Sequence, residues 1–136
     1  MDDSSAFLHL TTLYLQCGEF SDDIGFLTSL FRISSLRRLQ LHDYCRSRGL
    51  EHDWDCIQTS SNIRELDLDN CELGMAGYKS IIDSCNALST FEATVTPMDS
   101  DSYSADYNLP FQALQRHKAS LTTIKFDTGI LLFTEI

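Results

Sequence analysis

The sequence predicts an α/β solenoid, with a curved parallel β-sheet of about five strands on the inside and helices on the outside. Three observations carry this. Five segments share aliphatic or aromatic residues at relative positions 1, 4 and 6, starting at residues 10, 36, 63, 88 and 121, so that successive starts differ by 26, 27, 25 and 33. Within each segment positions 4 and 6 point to one side of a strand, while positions 3, 5 and 7, mostly polar, point to the other. Between segments lie stretches with helical apolar spacing. Self-similarity at such a period marks a repeat architecture, in which no single unit can bury its apolar face alone and stacking builds one continuous core.

The first segment, Leu10-Thr-Thr-Leu13-Tyr-Leu15, predicts a strand near 10–16. Asp22-Asp23 then open a helix carrying Ile24, Leu27, Leu30 and Phe31 on one face, the acids suiting a helix N-terminus. Leu36-Arg-Arg-Leu39-Gln-Leu41 predicts the second strand, near 36–42, followed by a shorter helix around Trp54 and Ile57, with Trp54 filling its core contact. Ile63-Arg-Glu-Leu66-Asp-Leu68 predicts the third, near 63–69, and Met75, Tyr78, Ile81, Ile82 and Cys85 give its helix. Leu88-Ser-Thr-Phe91-Glu-Ala93 predicts the fourth, near 88–94. An insert over 97–108 (PMDSDSYSADYN) separates it from a helix running from Leu109 to His117. Leu121-Thr-Thr-Ile124-Lys-Phe126 predicts the fifth, near 121–127, with the chain ending soon after Gly129-Ile-Leu-Leu-Phe133. Each helix hands over to the next strand through a polar step: Ser34-Ser35, Ser61-Asn62, Asn86-Ala87 and Ala119-Ser120.

Composition bounds the function. The chain has 136 residues, 20 acidic and 10 basic, for a formal charge of −10. Cut at residue 68, each half carries −5, so the charge is no acidic tail. One domain, residues 1–136, is expected. A nucleic-acid backbone or an anionic membrane is not the expected partner, because both repel such a chain. The start Met1-Asp2-Asp3-Ser4-Ser5 lacks the basic and apolar regions of a signal peptide. Five cysteines, an odd number with no CxxC pair, fit reduced thiols in a cytoplasmic or nuclear protein.

The third unit carries a further signature. Ile63-Arg-Glu-Leu66-Asp-Leu68-Asp-Asn-Cys71-Glu-Leu73 matches LxxLxLxxCxL at every fixed position, and the chain resembles the cysteine-containing and ribonuclease-inhibitor-like leucine-rich repeats over about residues 7 to 131. Such repeats are common in F-box/leucine-rich-repeat proteins of eukaryotes. The resemblance implies a horseshoe segment with the sheet concave and the helices convex, and a structural role for Cys71. It also implies non-enzymatic protein–protein interaction on the sheet's exposed face, with target selection for ubiquitination as the specific version. The ladder position of the Cys is Gly18, Tyr44, Cys71, Thr96 and Gly129 in the five units, so one unit keeps it, and Cys17 and Cys45 lie one place to either side. With no F-box-like segment and no obvious capping unit, a fragment of a longer horseshoe, or a degenerate short one, is expected. An incomplete fragment with no independent binding role is the alternative.

Positions 3, 5 and 7 of the five strands carry five acids and two bases over 15 positions, a denser negative charge than the chain average. The candidate partner-binding residues are Tyr14, Gln40, His42, Glu65, Asp67, Asp69, Glu92 and Asp127. In-register strands about 4.8 Å apart make Asp67 and Glu92 near neighbours, which is costly unless a cation or basic group sits on them. A basic partner is one reading; a solvated face with Lys125 and Arg38 offsetting part of the repulsion is the other. The insert, with Asp99, Asp101, Asp106, Tyr103 and Tyr107 and several serines open to phosphorylation, reads more readily as a solvated loop than as a cover for this face.

Other chemistries find less support. Cys45, His52 and Cys56 lack the paired short spacings of a structural zinc site, so no metal or other cofactor is expected. There is no GxSxG, no phosphate loop and no HExxH, and Gly74-Met-Ala-Gly77 has no following Lys, so no enzyme is expected. His42 beside Asp43 and near Asp69 makes a weak acid–base pair. Thr134-Glu135-Ile136 fits a loose C-terminal PDZ-type motif by coincidence. Arg37, Arg38, Arg46 and Arg48 read as a loop edge. The chain is expected to be a monomer.

Overall fold

The computed structural model describes residues 7–17, 25–45, 49–95, 107–127 and the backbone of 132–135. The elements run β1 (Thr12–Gln16), α1 (Gly25–Phe31), β2 (Arg38–His42), β3 (Glu65–Asp69), α2 (Met75–Ser84), β4 (Thr90–Thr94), α3 (Asn108–Gln115), β5 (Thr123–Asp127) and β6 (Leu132–Glu135). They form one sheet in chain order, β1 to β5 parallel and β6 antiparallel on β5. Among the described residues the molecule is therefore α/β, with five parallel strands and three helices.

The register follows the repeat. Leu13 pairs with Leu39, Leu39 with Leu66, Leu66 with Phe91 and Phe91 with Ile124, so each position 4 stacks on the next. Leu39, Leu41, Leu66, Leu68 and Phe91 are wholly buried, as are the position-1 residues Leu36, Ile63 and Leu88. Each such side chain stabilises the fold by about 1.5–3 kcal/mol through removal of apolar surface from water. The helices close the other side of this core with Leu27 and Phe31 from α1, Tyr78, Ile81 and Ile82 from α2, and Ala113 and Leu114 from α3. Ile24 and Asp22-Asp23 lie outside the described residues.

The polar steps tie one unit to the next. Ser35 Oγ donates to Leu10 O at 2.6 Å, Asn62 Nδ2 to Ser34 O at 3.0 Å and Ser120 Oγ to Leu88 O at 2.6 Å. Buried His117 does the same between elements: its Nδ1 accepts from Leu88 N–H at 3.1 Å, and its Nε2 lies 3.0 Å from Ile82 O. These contacts satisfy backbone groups that the chain reversals would otherwise leave without partners.

Two features depart from the sequence reading. The expected second helix around Trp54 and Ile57 is absent; a single 3-10 turn, Leu50–His52, is followed by chain without regular structure. The reason is local: Trp54 and Cys56, the half-buried pair, are two residues apart, the period of a strand, whereas Ile57 is 77% exposed. Trp54 still reaches the core, edge-on to Phe31 at 5.0 Å, with Nε1 donating to Ser84 Oγ at 2.7 Å. The second departure is β6, which adds an unforeseen strand and takes up Thr134 and Glu135 of the C-terminal motif. Residues 97–106 of the insert and Arg46 and Arg48 lie outside the described residues, and α3 begins at Asn108, the insert's last expected residue.

Candidate functional site: the acidic sheet face

The strict alternation Glu65-Leu66-Asp67-Leu68-Asp69 explains why β3 dominates this face. With Leu66 and Leu68 buried, strand geometry sends all three carboxylates to the opposite side. The neighbouring strands repeat the arrangement, giving three rows across the sheet. The first is Thr12, Arg38, Glu65, Thr90, Thr123; the second is Tyr14, Gln40, Asp67, Glu92, Lys125; the third is Gln16, His42, Asp69, Thr94, Asp127. All eight candidate residues therefore share one face.

They divide into two groups on it. Glu65, Asp67 and Glu92 line an open cleft of about 100 Å³ with Arg38, Leu66 and Thr90. Asp67 and Glu92 are direct cross-strand partners. Gln40 Nε2 offers Asp67 one long hydrogen bond of 3.5 Å. Among the described residues, no base comes within 4.0 Å of the Glu65 or Glu92 carboxylate, although Arg38 and Lys125 are their register partners. The cleft thus holds three carboxylates and one guanidinium, a net negative concavity suited to an extra cationic group.

The second group is engaged within the protein. Tyr14 Oη lies 3.4 Å from His42 Nδ1, with the rings edge-to-face at 4.8 Å, and Asp69 Oδ2 lies 3.6 Å from the same nitrogen. His42 Nε2 is buried without a hydrogen-bond partner among the described residues. Thr94 Oγ1 donates to Asp69 Oδ1 and accepts from Asn70 N–H at 3.1 Å. Asn70 Nδ2 and Gln16 Nε2 both donate to Asp43, at 2.9 and 3.3 Å. Asp127 stands beyond Thr94, away from the cleft.

Sequence reasoning left Arg38 and Thr90 out of the site, though both occupy position 3 and were readable as facing outward. The Asp43–Asn70 link had no such signal, because it depends on left-handed backbone at both residues, φ 60° and 54°, just past their strands. The residues weighed as zinc ligands have other neighbours: His52 Nε2 lies 3.4 Å from Glu51, and Cys56 Sγ donates to Thr28 O at 3.7 Å. Burial pushes the Cys56 thiol up to about 11, away from the thiolate a metal needs. Among the described residues no helix is long and apolar enough to cross a membrane. Comparison with known proteins returns no matching family model, no significantly similar curated protein and no significantly similar solved structure.

Proposed function

We propose that this chain is a leucine-rich-repeat solenoid of the cysteine-containing or ribonuclease-inhibitor-like kind, acting as a non-enzymatic protein–protein interaction module of the cytoplasm or nucleus. Its partner docks on the sheet face and presents a Lys or Arg to the cleft of Glu65, Asp67 and Glu92. Selection of a basic client for an F-box-type ubiquitin ligase is the specific version of this reading. The observation that carries it is the lateral pairing of Asp67 with Glu92, beside Glu65 in the same open cleft. Like charges in adjacent register positions are unfavourable in the free protein, and a desolvated cation between them turns that cost into affinity.

Titration of a Lys/Arg-rich peptide against the wild type and an Asp67→Asn, Glu92→Gln double variant tests it. Loss of two charge-assisted contacts is expected to weaken binding at least about tenfold, equivalent to about 1.4 kcal/mol. Equal affinity for the two proteins would overturn the assignment of this cleft.

A further inference from the structure

The N-terminal ends of the parallel strands form a rim whose charge is opposite to that of the sheet face. Residues 7–11 lead into β1, and 32–37, 59–64, 85–89 and 116–122 lead into β2 to β5; all of them are described. These segments hold five of the chain's ten bases and none of its 20 acids. Arg32 and Arg116 are spent on Asp55 and Asp83. Arg37, Arg64 and Lys118 have no carboxylate within 4.0 Å among the described residues. A chain of net −10 thus keeps a cationic edge clear of its own acids.

Position 2 of each unit runs along this edge, as Thr11, Arg37, Arg64, Ser89 and Thr122. Arg37 N–H donates to Thr11 O at 2.8 Å and Arg64 N–H to Arg37 O at 2.7 Å. Ser89 N–H donates to Arg64 O at 2.7 Å and Thr122 N–H to Ser89 O at 2.9 Å, so the row is fixed by backbone. Arg37 and Arg64 are therefore exposed neighbours about one strand spacing, roughly 4.8 Å, apart. Arg37 Nη1 is held by Ser34 O at 2.6 Å and Leu36 O at 3.3 Å, while no described acceptor takes the rest of its fork or any of the Arg64 guanidinium. Two guanidinium groups side by side repel unless an anion bridges them. Because the rim is made of strand ends, a further strand beside β1 would lengthen it and leave this pair in its middle.

We propose that Arg37 and Arg64 form a clamp for one phosphoserine or phosphothreonine side chain of a peptide partner. A phosphomonoester carries about −1.5 to −2 charges and three acceptor oxygens at neutral pH, enough to satisfy both forks at once. A carboxylate brings a single charge and neutralises one of them. Neighbouring charge selects a point anion over an extended one. Glu65 follows Arg64 directly, and Asp67 stands about 10 Å along the same strand, with Glu92 beside it. A nucleic-acid backbone or an anionic bilayer would lie across these acids, whereas one phosphate on the rim meets the two guanidinium groups first.

Titration of the full chain, followed by its amide resonances, with a Gly-rich peptide carrying one phosphoserine tests the clamp. The unphosphorylated peptide and one with Glu in place of the phosphoserine serve as comparisons. The phosphopeptide is expected to shift Arg37, Arg64 and Ser89 and to bind at least about tenfold more tightly than either comparison peptide. An Arg37→Gln, Arg64→Gln double variant is expected to lose at least about tenfold in affinity with its spectral dispersion intact. Arg64→Gln alone breaks no described side-chain contact and is expected to weaken binding on its own. The Asp67→Asn, Glu92→Gln variant is expected to bind the phosphopeptide at least as tightly as the wild type, so the clamp and the acidic cleft fail separately. No binding, equal affinity for the Glu peptide, or undiminished binding by the arginine variants would overturn the proposal. So would tighter binding of a single-stranded oligonucleotide or of phosphatidylserine vesicles.

Discussion

Cys71 shows how much one side chain can do at the junction of turn and core. Its thiol is wholly buried, with Sγ 3.3 Å from Leu41 O and 3.5 Å from Asp69 O, so it serves as a small apolar plug with one weak donor facing the end of the preceding strand. Tyr44 holds the equivalent place one unit earlier, also wholly buried, so an aromatic ring substitutes for the thiol where space allows. Burial, helped by the carboxylate of Asp69 and the other thiols nearby, pushes Cys71 from 9.0 up to about 12. The sign of the linkage follows. The folded state holds the proton more tightly than the unfolded one, so this contribution to stability is fully present below pH 9 and is lost as pH rises toward about 12. The loss is about 1.4 kcal/mol per pH unit within that window. Urea denaturation of the wild type and Cys71→Ala across the alkaline range should give a shallower decline for the variant. Parallel declines would show that the thiol does not carry the dependence.

At the scale of an element, α2 is the piece on which neighbouring units converge. Gly74, with φ 77°, turns the chain into it, a backbone setting that any Cβ would strain. Tyr78 from its first turns donates to Cys71 O, and Asp83 near its end takes Lys79 at 2.7 Å and Arg116 just beyond α3. Gly77 is the tightest point. A Cβ there would lie 2.8 Å from Leu50 Cβ and 3.2 Å from both Leu50 N and Leu73 Cβ. Elsewhere in a helix Gly→Ala stabilises by about 1 kcal/mol. Here the backbone of the 3-10 turn stands in the way, so Gly77→Ala is expected to destabilise by about 1–3 kcal/mol through overpacking. A raised urea midpoint for that variant would refute the close approach. The same element shows what was legible beforehand: Met75, Tyr78, Ile81 and Ile82 repeat at helical spacing, and period-two apolar residues marked the five parallel strands and their common register. The 3-10 turn was not legible, because its anchor Leu50 is held by a bond from its N–H to Leu73 O, a contact from the next unit. Nor was β6, whose pairing with β5 is a tertiary event without a repeat signal. At the site, alternation alone assigned the face, while the division into an open cleft and a self-engaged His42–Asp69 cluster needed side-chain geometry.

For the molecule as a whole, the question is why an evenly acidic chain concentrates carboxylates on its most regular surface. The core needs only the buried half of each strand, Leu66 and Leu68 in β3, so the outward half is free to be neutral or mixed in charge. Instead Asp67 and Glu92 stand side by side about one strand spacing apart, with Glu65 beside them and no ion pair within 4.0 Å of the two glutamates among the described residues. A surface kept for binding is expected to hold such tension, since stability is sacrificed where a partner later relieves it. The Asp67→Asn, Glu92→Gln double variant should therefore fold more stably than the wild type in the absence of any partner, by about 0.2–1 kcal/mol at low ionic strength. The gain should shrink as salt is added, because the screening length falls from about 10 Å at 0.1 M to about 3 Å at 1 M. Urea titrations of both proteins at these two salt concentrations measure it directly. A double variant no more stable than the wild type at low salt would mean that Arg38 and Lys125, one strand away on either side, already balance the pair. The face would then be a solvated surface with no charge held in reserve.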